Sequence, residues 1–338
     1  MEILRKLRWV LYPSVFILVF LIGSYCSFPK SVLRAVAETS ITQAAMSFVS
    51  PMRGMPKVAI KDISLWRLSG MDLKDVAISW EGFKREPPMS FVFDRLKARM
   101  GIFSLLSGSR SISTNMLLYG GSLSADVKIN KQKLLTNLYI NSSKLDLNKA
   151  DFIQSALGAP LAGILDLAVN LSAASSLSKD GNGNINIILN QGVFGPGSLN
   201  LPRGGMVPAL SLPQVNLGTF TANLDLDKGQ LESKTITLSG GDLEADLKLS
   251  ITLGRIPALS RLNGRGWFSL KKEFINANET IKMLYDLIPE LRTAKNGDGR
   301  VGFSLSGTLG RPMPKLEMAP PPAENAGASN KTKQPSAG

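Results

Sequence analysis

Most of the chain after residue 56 alternates between apolar and polar side chains with a period of two. The segment Val58–Leu65 shows this pattern first, and Leu73–Trp80 and Phe91–Met100 repeat it. Alternation of this kind is typical of an antiparallel strand with one covered face and one solvated face. Further segments of the same character are Leu123–Ile129, Leu161–Leu171, Ile185–Leu189, Phe220–Leu226, Leu243–Leu249, Gly266–Leu270 and Arg300–Leu309. The pattern predicts a domain built almost entirely from antiparallel strands.

One twelve-residue segment of this pattern occurs twice. Residues 118–129 and 238–249 share seven of their twelve positions, including a pair of glycines and an Ala-Asp pair. In each copy, alternate residues after the glycines form one apolar face. Paired glycines suit a hairpin turn or a bulge, where a positive φ angle is needed. The matched positions of this repeated strand motif are Gly120, Gly121, Leu123 and Asp126 in one copy and Gly240, Gly241, Leu243 and Asp246 in the other.

The two aspartates of the motif raise the question of a catalytic carboxylate pair. Asp126 and Asp246 are each followed two residues later by a lysine on the same polar face. Opposite charges on neighbouring strands attract each other. Cross-strand charge pairing is therefore the expected role of both side chains.

Two stretches carry a helical period instead. Lys30–Phe48 predicts a helical stalk, and Asn278–Thr293 predicts a helix that Pro289 kinks. Two such helices are too few to cover the apolar faces of so many strands. We therefore expect a mainly β fold, with a long curled antiparallel sheet shaped as a groove or half-barrel. One or two short helices accompany it, and one of them caps an end of the sheet.

The stretch Trp9–Phe28 carries no charge over twenty residues. A helix of that length spans the hydrocarbon core of a bilayer, which is about 30 Å thick. Basic residues immediately before it predict a cytoplasmic N-terminus. A cleaved signal peptide is the alternative, but its apolar region is shorter as a rule. The residues assigned to the membrane anchor are Trp9, Phe16, Leu18, Phe20 and Leu21.

These features divide the chain into five segments. They are a cytoplasmic N-terminus at 1–8, a transmembrane helix at 9–28, a helical stalk at 29–55, a β-domain at 56–318 and a disordered tail at 319–338. The tail is rich in Pro, Ala, Asn and Ser, a composition that cannot form a packed core. Because there is one span, the β-domain is expected on the far side of the membrane.

Composition restricts the possible chemistry. The chain has no histidine and one cysteine. This excludes His-dependent nucleophiles, nearly every zinc site and an intrachain disulfide. No cofactor motif is present, so we expect no enzymatic activity, no cofactor and no metal. The net charge is +13, but the basic residues are scattered along the sequence rather than clustered with aromatic residues. Nucleic acid is therefore not an expected partner, and a solvated surface or weak attraction to anionic lipid head groups beside the anchor is the simpler explanation of the charge.

The order of several motifs resembles a known family. After the basic start, the span and the stalk come LSGMDLKDV at 68–76, RLKARMGIFSLLSG at 95–108 and YGGSL at 119–123. The β-domain closes with NGDGRVGFSLSGTLGRP at 296–312. This order resembles the type II secretion system protein N (GspN) family over most of residues 1–318. It is similar at a greater distance to the AsmA-like β-groove proteins.

The resemblance implies a single-pass protein of the bacterial inner membrane with a periplasmic C-terminal domain. It implies an accessory, non-enzymatic component of type II secretion that contacts other secretion-system subunits. The more distant similarity keeps a second hypothesis open, in which the apolar face of the sheet binds or transfers phospholipid. Recovery of secretion subunits in a pull-down favours the first hypothesis, and phospholipid on the purified protein favours the second.

Overall fold

The computed structural model describes residues 29–48, 54–67, 69–81, 88–101, 108–132, 134–157, 159–199, 210–254, 256–287 and 289–319. The predicted N-terminus and anchor lie outside the described residues, as does all but the first residue of the predicted tail. Within the described ranges, no helix has both the length and the apolar character needed to cross a membrane.

The described part of the chain contains six α-helices. They are α1 (Lys30–Phe48), α2 (Asp151–Leu157), α3 (Leu177–Asp180), α4 (Lys272–Ala277), α5 (Glu279–Leu287) and α6 (Pro289–Ala294). Five of them are short, so the expectation of one or two short helices was wrong. The single helix predicted at 278–293 is divided, because Pro289 has no N–H and begins a new helix instead of continuing the previous one. Helices α2 and α3 are too short to show a helical period in sequence.

Fourteen strands form one open antiparallel sheet, which confirms the mainly β prediction. In sheet order they are β1 (Lys57–Trp66), β2 (Gly70–Trp80), β3 (Met89–Met100), β4 (Arg110–Leu118), β5 (Gly121–Ile129), β6 (Leu135–Asp146), β7 (Leu161–Ser172), β8 (Asn182–Phe194), β11 (Val215–Asp227), β12 (Gln230–Gly240), β13 (Leu243–Thr252), β14 (Arg261–Leu270), β15 (Val301–Thr308) and β16 (Arg311–Glu317). The short strands β9 (Gly197–Leu199) and β10 (Leu210–Leu212) pair with each other in the β8–β11 connection.

The register of the sheet places the apolar residues of successive strands on one face. Leu73 on β2, for example, lies opposite Ile63 on β1 and Leu96 on β3. Further along, Leu167 on β7 lies opposite Ile187 on β8. We call this side of the sheet the apolar face and the opposite side the polar face. Every strand of the sheet contributes to both.

Two kinds of irregularity occur where the alternation in sequence slips. On β2 the apolar positions change from odd to even numbers between Leu73 and Val76. Asp75 lies between them with a φ of 49°, and both Asp75 and Lys61 are left out of the β1–β2 pairing, so the register is the same before and after them. On β12 the register against β13 shifts between Glu232 and Thr237. A bulge adds one residue to one strand, so later side chains return to the same face.

The first buried cluster lies between α1 and strands β1–β3. Leu33, Ala37 and Ala45 of α1 pack against apolar-face residues that include Ile63 and Val76. Ile63 is 1% exposed and Val76 is 0% exposed. The helix predicted as a stalk is therefore a cover for the first strands of the sheet.

The second buried cluster lies further along the same face. Its buried members are Val169, Leu171, Leu177, Ala222, Leu224, Leu226, Leu231, Ile236, Ile251 and Leu262. All but Leu177 of α3 come from strands β7, β11, β12, β13 and β14.

Antiparallel pairing gathers the connections at two ends of the sheet. The turn end holds the connections after β1, β3, β5, β7, β11, β13 and β15. The helical end holds the other connections, which include α2, the β9–β10 hairpin and helices α4–α6. Helix α5 contacts β10. The insertion after β8 and the helices after β14 therefore meet over the helical end.

Candidate functional site

The apolar face is least covered between the two buried clusters. Six apolar side chains in the middle of β4–β6 are partly exposed, in contrast to those beneath α1, whereas Leu118 and Leu145, towards the helical end of β4 and β6, are buried. We call the six partly exposed side chains the open apolar section, which comprises Ile112, Met116, Leu123, Val127, Leu138 and Ile140. This section presents a hydrocarbon surface across three neighbouring strands.

Polar atoms beside the open apolar section are used within the sheet. Thr114 Oγ1 donates a hydrogen bond to the Ala125 carbonyl at 3.2 Å. Ser142 Oγ accepts a hydrogen bond from the Leu167 N–H at 2.9 Å. A polar ligand finds few free hydrogen-bonding groups here. An apolar ligand needs none, so its contact with this surface buries no unpaired polar group. The section is therefore suited to hydrocarbon.

Aromatic side chains lie beside the helical end of this section. The ring of Phe152, on α2, stacks on that of Phe91 with centroids 3.9 Å apart. It also stacks on the ring of Tyr119, in the β4–β5 turn, at 6.3 Å. Burial raises the pKa of Tyr119 to about 12, so its hydroxyl is neutral at physiological pH. Aromatic rings therefore lie at the helical end of β3 and at the β4–β5 turn, beside the strands of the open apolar section.

The glycine pairs of the repeated motif have two different roles. Gly120 and Gly240 have φ angles of 74° and 83°, which confirms the prediction of a positive φ. Gly121 and Gly241 do not have a positive φ. Instead, a Cβ added to Gly121 would lie 2.5 Å from the Ser143 carbonyl oxygen. The second glycine of each pair is therefore required by a close approach of neighbouring backbone.

The remaining motif residues do not form a shared site. Leu123 and Leu243 lie on the apolar face, on β5 and β13. Five strands lie between β5 and β13 in the sheet order, so the two copies are far apart. Neither Asp126 nor Asp246 forms an ion pair with a described residue, so the predicted cross-strand charge pairing is not found there.

The register explains why those aspartates are unpaired. Asp126 lies opposite Ser113 and Tyr139. Asp246 lies opposite Thr237 and Trp267, again without a basic partner. In the part of the chain that the structure describes, there is also no cluster of three or more His, Cys, Asp or Glu side chains able to hold a metal ion.

An ion pair on the polar face of β2–β3 was not predicted from sequence. The side chain of Asp72 is nearly buried and receives hydrogen bonds from two nitrogens of Arg95, with Nε at 2.8 Å from Oδ1. The Arg95 guanidinium lowers the pKa of Asp72. Towards the turn end, Lys97 Nζ and the Arg67 guanidinium lie 5.3 and 5.0 Å from the centroid of the Trp66 ring.

The turn end of the sheet is strongly basic. We counted the described side chains in the connections at this end and in the two strand residues on either side of each connection. They include nine Lys or Arg and two Asp. The same count at the helical end gives seven basic and nine acidic side chains. We call the nine basic residues of the turn end the basic rim, and all nine are exposed. They are Arg67, Arg99, Arg110, Lys128, Lys131, Lys179, Lys228, Arg261 and Arg311.

This rim corrects the sequence-based interpretation of scattered charge. Its members come from seven connections that are distant in sequence, and the antiparallel topology gathers them at one end. Basic residues recur about once for every two strands along the sequence, and this recurrence is the signal that sequence analysis could have used. Without the strand boundaries, that spacing looks random.

Exposed apolar side chains accompany the basic rim. Ile256 and Leu259, in the β13–β14 connection, are 57% and 65% exposed. Leu309, in the β15–β16 turn, is 42% exposed. The two connections are held together by a hydrogen bond of 3.0 Å from the Leu309 N–H to the Ser260 carbonyl. We call Ile256, Leu259 and Leu309 the apolar tips.

The two edges of the sheet are both protected. At the β1 edge, the Arg34 guanidinium of α1 donates a hydrogen bond to the Lys61 carbonyl at 3.3 Å. At the β16 edge, Pro312 and Pro314 lie opposite Gly307 and Leu305. Since proline has no N–H and the pairing with β15 is intact, the proline nitrogens face the free edge. This arrangement hinders addition of another strand.

Comparison with known proteins gives no match among family models, curated proteins or solved structures. The site is therefore defined by its own geometry. It consists of an open antiparallel sheet with one continuous apolar face, an uncovered section on β4–β6 and a basic rim at one end.

Proposed function

We propose that this chain is a membrane-anchored periplasmic β-groove protein whose apolar face binds the acyl chains of a phospholipid. The observation that carries the proposal is the continuous apolar face with its partly exposed section on β4–β6. In this proposal the sheet curls around the ligand, and the predicted helix Trp9–Phe28 holds the domain at the inner membrane.

The dimensions of the open apolar section suit an acyl chain. Strand β5 has nine residues, which corresponds to about 30 Å at the usual rise per residue. One leaflet of a bilayer has about 15 Å of hydrocarbon. Each methylene group that leaves water for this surface contributes about 0.8 kcal/mol, so eight to ten buried groups contribute roughly 6–8 kcal/mol before the cost of ordering the chain.

The positions of the aromatic rings and of the basic rim favour one direction of ligand entry. Phe152 and Tyr119 lie beside the helical end of the section, while the turn end carries the basic rim. A phospholipid therefore enters with its acyl chains towards the aromatic rings and its phosphate near the rim. Lysine and arginine at such positions pair with phosphate oxygens.

Phospholipid measurement on the purified full-length chain tests this proposal. Lipids are extracted from the protein in mild detergent and quantified by mass spectrometry, with about one phospholipid per chain expected. Leu123→Arg places a charge on the apolar face and is expected to abolish co-purification. Ser124→Arg, at the next position on the polar face of the same strand, is the matched control and is expected to retain the lipid.

Equal phospholipid content in the two variants would contradict the proposal. So would a wild-type chain with only trace lipid under conditions in which both variants remain folded. Circular dichroism of all three proteins establishes that they retain the sheet, so that loss of lipid is not confused with loss of fold.

The second candidate function is that of an accessory component of the type II secretion system, acting through protein–protein contacts. The order of the motifs at 68–76, 95–108, 119–123 and 296–312 favours it, because these segments resemble the GspN family. The protected sheet edges direct such contacts to the polar face or the helical end. Both candidates share the anchor and the periplasmic domain.

A pull-down from detergent-solubilised membranes of the native host tests the second candidate. The tagged full-length chain is expected to recover other secretion-system subunits, identified by mass spectrometry. Leu123→Arg is expected to leave that recovery unchanged, because the residue lies on the apolar face. Absence of any secretion subunit from the recovered proteins argues against this function.

A further inference from the structure

We infer that the basic rim and the apolar tips dock the turn end of the sheet onto the anionic phospholipid surface of the membrane that holds the N-terminal segment. This inference rests on the membrane anchor of the proposed function. It adds an orientation and a second contact, because it specifies which end of the sheet lies on the bilayer and which side chains make that contact.

The contacts of α1 with β1 indicate which end of the sheet the start of α1 is nearer to. Lys30 Nζ lies 3.8 Å from Asp62 Oδ1, and Arg34, one turn later, bonds to the Lys61 carbonyl. The second contact is thus one residue nearer the start of β1 than the first, so the first turn of α1 is nearer to the turn end than the second. In the proposed function the anchor precedes this turn in the chain, which favours the turn end as the side that faces the membrane.

The charge distribution agrees with this direction. The turn end has nine basic and two acidic side chains, whereas the helical end has seven basic and nine acidic ones. One of the two acidic groups at the turn end, Asp180, accepts hydrogen bonds from the Ser175 and Ser176 N–H groups. An anionic surface therefore attracts the turn end and not the helical end.

The apolar tips supply the second part of an interfacial contact. Ile256, Leu259 and Leu309 are exposed beside Arg261 and Arg311, which begin the strands that follow these connections. Apolar side chains that enter the head-group region and basic side chains that remain among the phosphates are the combination found in interfacial membrane binding. Each basic residue near an anionic membrane changes partitioning by about fivefold at low salt.

Fluorescence quenching of the full-length chain in vesicles tests the inference. Cys26→Ser removes the native thiol, and Leu259→Cys provides a labelling site at an apolar tip. The protein is reconstituted in phosphatidylcholine vesicles with or without phosphatidylglycerol, and a head-group spin label serves as quencher. A label at Met283→Cys, 50% exposed on α5 at the helical end, is the matched control.

We expect strong quenching of the label at position 259 in the anionic vesicles only, and little at 283 in either. High salt should reduce the quenching of the label at position 259 in the anionic vesicles. Neutralising Lys228, Arg261 and Arg311 to Gln should lower the docked-to-undocked ratio about a hundredfold at low salt, at fivefold for each charge. Equal quenching at both sites, or equal quenching in both kinds of vesicle, would overturn the inference.

Alkaline extraction of the same vesicles separates this inference from the proposed anchor. A chain that resists extraction but shows no quenching at position 259 is anchored without docking, and only the present inference fails. A chain that is extracted but shows salt-sensitive quenching in anionic vesicles docks without an anchor, and the proposed anchor fails instead.

Discussion

Two adjacent glycines allow a quantitative test of the sheet geometry. Gly240 has a φ of 83°, and a Cβ added there meets nothing within 4 Å. Gly241 has no positive φ, but its Cβ would lie 2.1 Å from the Asn216 carbonyl oxygen. Changing each to alanine therefore isolates two effects in one turn, namely the backbone angle at Gly240 and the steric contact at Gly241.

The expected free energies of the two variants differ. Gly240→Ala forces a left-handed backbone on an L-residue, which costs about 1–2 kcal/mol. Gly241→Ala has to displace the Asn216 carbonyl by about 1 Å to reach an ordinary contact distance. That carbonyl accepts a hydrogen bond from the Asp242 N–H at 2.6 Å, which the displacement breaks. Overpacking and the lost hydrogen bond together cost about 2–4 kcal/mol.

Thermal unfolding of the full-length chain, followed by far-ultraviolet circular dichroism, measures both effects. For a domain of this size, 1 kcal/mol lowers the Tm by roughly 2–4 °C. We therefore expect Gly241→Ala to lower the Tm by about 4–16 °C and Gly240→Ala by about half as much. Gly240→Asn should be milder than Gly240→Ala, since asparagine tolerates the left-handed region. A larger loss for Gly240→Ala than for Gly241→Ala would refute this explanation of the glycine pair.

Two further predictions concern ionisable groups. Arg95→Met leaves the nearly buried Asp72 carboxylate without its partner and should lower the Tm by several degrees, with recovery when Asp72→Leu is added. Arg95 lowers the pKa of Asp72 in the folded protein. The stability from this ion pair is therefore present above the pKa of the unfolded chain, about 4, and is lost as the pH falls below it. Urea unfolding across acidic pH should show that loss in the wild type and not in the double variant. Because burial raises the pKa of Tyr119 to about 12, stability should fall as the pH rises from about 10 to about 12. Tyr119→Phe should lack that part of the alkaline fall, and an identical alkaline profile in both proteins would contradict the assignment.

Strands are easiest to predict from sequence where the alternation is uninterrupted, although β2 was predicted in spite of the slip at Asp75. Strands β5 and β13 carry the repeated motif with clean alternation, and the structure contains both. Strand β12 is interrupted by a register shift between Glu232 and Thr237, which disrupts a period of two. Strand β16 contains Pro312 and Pro314, which argue against a strand in sequence and are accommodated at the free edge. The interior strands β4 and β6 were not among the predicted segments either, so local pattern identified only part of the sheet.

The candidate site was only partly predictable for a different reason. The alternation at Leu123 and Val127 indicates an apolar face, but it does not indicate what covers that face. Cover depends on the packing of α1 on β1–β3, a contact between elements that no local pattern records. The basic rim likewise depends on which residues fall in turns at the same end of the sheet. Both features follow from topology, which requires the strand order.

Site-specific photo-crosslinking in native membranes tests the central claim most directly. A photoreactive amino acid replaces Ile140 on the apolar face of β6 in one variant and its neighbour Asn141, exposed on the polar face, in another. We predict phospholipid adducts, identified by mass spectrometry, at position 140 and not at position 141. Adducts at both positions in equal yield, or at position 141 alone, would contradict an apolar face that binds acyl chains.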